Sequence, residues 1–426
     1  MTALSQMAAT LACKKAEPES LYLCRYGNPV MIVSAIKENF PGERMVALTP
    51  AAAAGLVKLG LEVHIQPGAG VAAGFTDAAY EKAGVHLSVD RTELLKQADI
   101  LVQVHALGSH PEVQGPDLAA VKRGIHIIAF ADPLTDKPAM QLLSQCGATL
   151  LAMELVPRIT RAQSMDALSS MASLAGYKAV LIAAEKLGKI FPMMITAAGT
   201  ITPAKVFVIG AGVAGLQAIA TARRLGGQVS AFDVRPAVKE QVQSLGARFI
   251  ELPMQAAEAQ TPAGYARQQT AEEQQRQREL MAHSVSEADI VISTAAVPGK
   301  KAPVLISEDM VAAMEAGSII VDLAAVRGGN CALTRGDEIV TYHDVTILGP
   351  TNLTATLPIH ASQMYANNIA NVLKHLIKNG QCQLDMQDQI TREMLVMRDG
   401  VIINQRVREL LELPVLEVPQ AVAGVG

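Results

Sequence analysis

The six residues Gly210-Ala211-Gly212-Val213-Ala214-Gly215 follow one apolar run, AKVFVI, and precede another, LQAIATA. Glycines at this spacing between a strand and a helix can cradle a pyrophosphate. The first permits a tight turn, the second lets backbone approach the phosphates, and the third lets helix and strand pack closely. The helix that follows points free N–H groups and the positive end of its dipole at the same place. A further apolar run, QVSAF, ends at Asp233, 23 residues past Gly210, where a carboxylate binds the hydroxyls of an adenosine ribose. A carboxylate repels a 2′-phosphate, so the pattern favours NAD(H) over NADP(H), with Arg235 the nearest group that could answer such a phosphate. Val213 in the turn and Val234 beside the acid complete this candidate set.

A second constellation lies in PRITRAQSMDALSS, with Arg158, Gln163, Asp166 and Ser169. The last three fall at i, i+3, i+6, one side of a helical turn. An amide, a carboxylate and a hydroxyl beside a guanidinium can grip a nicotinamide carboxamide. The same stripe also reads as the capped, solvated start of a helix. The five cysteines, Cys13, Cys24, Cys146, Cys331 and Cys382, are far apart and form no CxxC or Cys/His cluster. They read as free thiols in a reducing compartment, and no metal site is expected.

Elements must place these groups, and the chain supplies them in alternation. Val/Ile/Leu-rich runs at 31–36, 61–67, 99–104, 124–130 and 148–155 alternate with helical patterns, and a second set begins near 204. Thr49-Pro50 reads as a helix start, with Thr as cap and Pro at the first position. Such alternation indicates α/β architecture: two doubly wound, Rossmann-like domains with parallel sheets and a cleft between them. The expected limits are an extension at 1–30, a discontinuous first domain at 31–157 plus about 355–410, a cofactor domain at 158–354 and a tail at 411–426. A long helical pattern, Ser164 to Leu187, joins the two, and a last helix at about 360–378 returns to the first. The polar stretch 253–278 has no strand pattern and reads as a loop or lid, its 272–279 part as a solvated helix face.

Composition agrees with a folded enzyme. Half of the 426 residues are apolar but only 3% aromatic, and 36 Lys+Arg stand against 40 Asp+Glu, a net charge of -4. That balance excludes a strongly basic nucleic-acid binder, and the apolar content excludes a disordered chain. The first residues are too polar for a secretory signal. The nearest approach to a bilayer span, 206–222, is broken by Gln217 and three glycines, so the chain itself is expected to be soluble.

Several longer strings carry a resemblance. PRITRAQSMDALSS, FPMMITAAGTITPAKVFVIGAGVAGLQAIATARRLGG, AFDVRPAVKEQV, VDLAAVRGGN, ENFPGERMVALTP and PGAGVAAGF closely resemble the NAD(H)-binding component of proton-translocating, Re/Si-specific NAD(P) transhydrogenases, domain I of their alpha subunit. The likeness covers roughly residues 31–400. It implies that Arg158, Gln163, Asp166 and Ser169 form a nicotinamide-side loop, and that Gly264-Tyr265 tips a mobile loop closing over NAD(H). Thr294-Ala295, ending the run DIVIST, would line the cleft. The resemblance further implies direct hydride transfer between NADH and NADP+ held on a partner subunit, which needs no protein acid or base. It implies a homodimer, peripheral at the cytoplasmic face of the inner membrane, docked on NADP(H)-binding and membrane-spanning subunits that carry the proton movement. The chain departs from the pattern at Met171 and Ser173, where Gln or Asn is frequent. It departs again at Val326-Arg327, where acidic or amide residues are frequent. Both sites bear on the nicotinamide contacts.

The resemblance extends to alanine dehydrogenase, an NAD-dependent amino-acid dehydrogenase and the first alternative. That enzyme has an Arg directly before the VALTP-like run; Met45 stands here, with Arg44 one place earlier. Its substrate Lys is matched by His105, which reads here as a polar strand end or as a replacement base, and its catalytic His falls nearest Asp132. Without a guanidinium for the carboxylate and an acid/base for the amine, oxidative deamination loses its chemistry. A non-catalytic NAD-binding protein is the second alternative.

Overall fold

The structure is a computed structural model describing residues 30–251, 271–297 and 299–414. Its strands are β1 (Ile32–Ala35), β2 (Glu62–Ile65), β3 (His86–Leu87), β4 (Ile100–His105), β5 (His126–Phe130) and β6 (Thr149–Ala152), then a hairpin of β7 (Met194–Thr196) and β8 (Gly199–Ile201). There follow β9 (Lys205–Ile209), β10 (Gln228–Phe232), β11 (Arg248–Ile250), β12 (Ile290–Ser293), β13 (Ile319–Asp322), β14 (Ile339–Tyr342) and β15 (Val345–Leu348). The chain ends with β16 (Ile377–Lys378), β17 (Gln381–Cys382), β18 (Leu395–Arg398) and β19 (Val401–Ile402).

Two sheets organise the molecule. The first runs β19-β18-β6-β5-β4-β1-β2-β3, parallel except for the β18–β19 edge. The second runs β11-β10-β9-β12-β13-β15-β14, parallel except for β14. Strands β6, β12 and β13 are buried along their whole length, which is why they are apolar except for one polar residue at an end, Thr149, Ser293 and Asp322. Winding reverses between β1 and β4 in the first sheet and between β9 and β12 in the second. Crevices for ligands open at the carboxyl ends of strands at such reversals.

With few aromatics, the cores are built from aliphatic side chains. Tyr80 and Tyr365 are the largest fully buried groups, and each hydroxyl donates to a main-chain carbonyl, Leu48 O and Gln103 O, both at 2.7 Å. The helix Ala167–Lys186 serves both cores. Ala167, Met171 and Leu174 pack in the first, Ala179, Val180 and Ala183 in the second. The helix Pro358–Leu376 comes back from the second sheet to seat Tyr365, Ile369 and Leu373 in the first core.

Element boundaries differ from expectation where side chains claim backbone groups. Thr49 Oγ1 accepts the Ala52 N–H and Pro50 opens its helix, as the sequence indicates. The expected 148–155 strand stops at Ala152 and turns into the 3-10 segment Met153–Leu155. Glu154 Oε1 there accepts the Ala131 N–H at 2.8 Å. The helix read from Ser164 begins only at Ala167, after the 3-10 segment Thr160–Met165. The stretch 206–222 divides into β9, the glycine turn and the helix Val213–Arg224. Among the described residues the one helix long and apolar enough to cross a membrane is instead Ala167–Lys186.

Candidate functional site

The three glycines of the turn meet three different constraints. Gly210 adopts φ +94°, and a Cβ on it would lie 2.6 Å from Thr294 Oγ1. A Cβ on Gly215 would lie 1.8 Å from Gly210 O, inside the contact between helix and strand. A Cβ on Gly212 would meet nothing within 4 Å, so its side faces open space. Gly212 caps the helix Val213–Arg224 without any side-chain bond, which leaves the first-turn N–H groups to a ligand. Val213 is 40% exposed beside it. This cradle fits a pyrophosphate.

Asp233 sits one strand over, at the end of β10. Its Oδ2 accepts the Ala211 N–H at 2.8 Å and Arg235 Nη2 at 2.8 Å, while Oδ1 accepts the Arg235 N–H at 2.8 Å and Nε at 2.9 Å. The carboxylate thus fixes the glycine turn and is already gripped by Arg235, whose guanidinium pKa the pairing pushes up. Val234 is half-buried against the cluster of Phe207, Ile209 and Phe232.

Thr294, just past β12, donates its hydroxyl to Gly210 O at 3.0 Å. Ala295 is held by Asn330, a residue that the motifs do not point to. Asn330 Oδ1 accepts the Ala295 N–H at 3.0 Å, and its Nδ2 donates to Ala295 O at 2.8 Å and Pro303 O at 2.9 Å. Buried Asp322 anchors Asn330 in turn, since its Oδ2 accepts the N–H groups of Asn330 and Cys331 and the Thr334 hydroxyl. The only signal in sequence is the string GGN, whose partners lie far along the chain.

Arg158 and Gln163 are exposed, whereas Asp166 and Ser169 are tied together. Asp166 caps the helix Ala167–Lys186, its Oδ1 accepting the Ser169 N–H at 2.9 Å and its Oδ2 the Ser169 hydroxyl at 2.6 Å. Ser173 donates to Ser169 O, and Met171 packs inward. This group is joined to the glycine turn by its own helix: a Cβ on Gly176 would lie 2.0 Å from Ala214 O. Ten residues separate Asp166 from Gly176, about 15 Å of helix at 1.5 Å per residue. The structure therefore gathers Gly210, Gly212, Gly215, Asp233, Arg235, Thr294 and Ala295 at one place, with the linked pair Asp166 and Ser169 about half a helix-length away and Arg158 and Gln163 exposed on the segment that leads into them. Gly264 and Tyr265 lie outside the described residues.

The first sheet has its own carboxyl-edge cluster. His105, ending β4, stacks on Phe40 with ring centroids 4.1 Å apart, and its Nε2 lies 2.9 Å from Glu43 Oε2. Burial would raise Glu43, but His105, the Met45 N–H and Asn352 hold its pKa below the usual range. Burial, opposed by His105, pushes Glu38 up to about 7. Met45 is buried and Arg44 exposed.

A glycine turn, an opened helix and an acid ending the next strand, at the winding reversal of a parallel sheet, define a Rossmann-type dinucleotide-binding protein of two lobes. Residues 34–175 match the family described as "Alanine dehydrogenase/PNT, N-terminal domain" and residues 179–405 its "C-terminal domain". The chain belongs to that family. It is 44% identical over 378 residues to an NAD(P) transhydrogenase alpha-subunit chain of Rhodospirillum rubrum, covering 88% of this chain and 98% of that one. The crystal structure of a transhydrogenase from Sinorhizobium meliloti superposes with a TM-score of 0.78 at 40% identity, over 87% of this chain and all of that one. The alanine dehydrogenase of Mycolicibacterium smegmatis is 26% identical over 401 residues, 92% of this chain and 100% of that enzyme. The transhydrogenase relation is much the nearer of the two.

Proposed function

We infer that this chain binds NAD(H) in the second-sheet crevice and presents its nicotinamide to NADP(H) held by a partner subunit, as the NAD(H)-binding component of a proton-translocating transhydrogenase. The observation that carries this reading is the open side of Gly212 between two glycines that tolerate no Cβ. The cofactor supplies the carbon that gives or takes hydride. The protein's part is to hold and to orient. The first-turn N–H groups after Gly212 would bind the pyrophosphate, and Asp233 the adenosine ribose, whose hydroxyls must compete with Arg235 for it. Arg158, Gln163, Asp166 and Ser169 would fix the ring, so that a partner ring reaches about 3–3.5 Å with water excluded.

Proton movement then belongs to membrane partners, and this chain would lie peripherally at the cytoplasmic face of the inner membrane. The domain limits of 31–157 with about 355–410, and 158–354, suit this division. A homodimer is supported by the β7–β8 hairpin, which leaves Met193 61% and Ile195 76% exposed, with Met194 and Ile201 beside them. Apolar side chains concentrated on one protrusion mark an interface.

The test mixes the chain with partner membranes loaded with an NADP+ analogue and adds NADH. Hydride should appear in the analogue, and Asp166→Asn, which keeps a capping acceptor, should lower transfer while the fold persists. Asp233→Ala should weaken NADH and narrow its advantage over NADPH by about ten- to a hundredfold, on the roughly 1.5–3 kcal/mol of a charge-assisted bond. NADPH binding more tightly than NADH, or alanine-dependent NAD+ reduction by the chain alone, would overturn the proposal.

A further inference from the structure

The carboxyl edges of the two sheets face one another, and among the described residues contacts from Arg327, Gly299 and Asn352 bridge them. Arg327, in the 3-10 turn Ala325–Arg327 after β13, donates from Nη2 to Asp132 Oδ1 at 2.5 Å and from Nη1 to Thr135 Oγ1 at 2.6 Å. Leu134 packs under Gly299, its Cβ 3.1 Å from where a glycine Cβ would stand. Asn352 donates to Glu43 Oε2 at 3.0 Å. Of the three, only the first joins a cation to an anion.

The loop that receives Arg327 is shaped in advance. Asp132 holds φ +46°, a conformation uncommon outside glycine. It is kept there because Glu154 Oε1, buried beneath, accepts the N–H groups of both Ala131 and Asp132. Asp132 Oδ2 also accepts the Thr135 hydroxyl, which leaves Oδ1 and the Thr135 lone pairs aimed at a planar two-pronged donor. A guanidinium matches that fork; an ammonium does not. On the other side, Arg327 follows the strand whose Asp322 anchors Asn330 and, through it, the Ala295 wall of the crevice. A pull on this clasp therefore reaches the cofactor wall through two hydrogen-bonded residues.

We propose that Arg327 is a positioning residue that clasps the second lobe to the Asp132–Thr135 loop of the first and so sets the width of the cleft between them. The proposal rests on the NAD(H) reading above. Closing the clasp slows cofactor release without touching the cofactor.

The experiment follows NADH release from the full chain by stopped-flow fluorescence. It compares wild type, Arg327→Ala, Arg327→Lys, Asp132→Asn and the Arg327→Ala/Asp132→Asn double variant. Release should quicken about two- to fivefold in Arg327→Ala, the range for half-exposed ion pairs. Asp132→Asn should match it, the double variant should add nothing further, and Arg327→Lys should fall between. Release from wild type should also quicken between about 50 mM and 500 mM salt, because charges this exposed are screened, and more steeply than release from Arg327→Ala, which keeps only the salt dependence of the pyrophosphate contacts. A general loss of structure would not remove the Arg327 share of the salt dependence in this way. Additive effects, or equal salt dependence in wild type and Arg327→Ala, would overturn the clasp with NADH binding intact. A wild-type chain that binds no NADH would overturn both it and the reading beneath it. X-ray scattering without cofactor gives a separate reading: a radius of gyration unchanged in Arg327→Ala counts against the clasp.

Discussion

At the scale of single residues, the densest demands fall on a group with no chemistry of its own. Asn330 donates twice and accepts once within the wall of the crevice, and it is fully buried. Asn330→Ala strands the Ala295 N–H and two carbonyls, and a buried polar group without a partner costs about 1–3 kcal/mol. The variant should melt several degrees lower and bind NADH more weakly. Asn330→Asp should be worse, since a carboxylate cannot donate to Ala295 O or Pro303 O and stands beside Asp322. Thermal melts and NADH titrations on both variants decide this, and a more stable Asn330→Asp would refute the account. The glycine turn is legible in sequence because each glycine answers a backbone requirement within a few positions. Asn330, the Glu43–His105 pair and the Arg327–Asp132 pair are not, because their partners lie 35, 62 and 195 positions away and nothing local announces them. Asp166 and Ser169 show the intermediate case: the stripe is visible, and the structure gives its two members a shared capping bond.

Among the elements, the contact between the helices Ala167–Lys186 and Val213–Arg224 fixes how the two candidate groups stand to each other. Gly176 makes it possible, as a Cβ there would collide with Ala214 O at 2.0 Å. In an exposed helix Gly→Ala gains about 1 kcal/mol from helix propensity. Here overpacking reverses the sign, and Gly176→Ala should destabilise by about 1–3 kcal/mol, read as a lower denaturant midpoint. A raised midpoint would show that the helices part freely. The strands are readable because sheets covered on both faces need uninterrupted apolar runs. Their ends are not, because buried groups such as Glu154 decide where a strand stops. The β7–β8 hairpin leaves no trace in the pattern because its three-residue strands carry no periodicity.

For the whole molecule, the buried carboxyls set a pH dependence. Burial pushes Glu38 and Glu154 from 4.5 up to about 7. A carboxyl that holds its proton more tightly when folded favours folding below about pH 4.5, and the cost of ionising it is complete above about 7. Each shift corresponds to about 3 kcal/mol. Asp388 works in the other direction. Burial opposes its charge, yet the Thr391 N–H and hydroxyl, His375 and Arg161 hold it well below the carboxylate range. Its stabilisation is present above about pH 4 and is lost on further acidification. Stability should therefore peak on the acid side of neutrality and fall by several kcal/mol between about pH 5 and 8. Glu154→Gln, which keeps an acceptor for Ala131 and Asp132, should remove about half of that fall. Denaturant unfolding across this range checks both, and a flat wild-type profile would contradict the assignment.

The helix Ala167–Lys186 lends its first turns to one core and its last turns to the other, and Pro358–Leu376 returns across the join. No cut in the sequence separates the lobes cleanly. Each fragment would carry away a wedge of its neighbour's interior, so neither half keeps a whole core without the other.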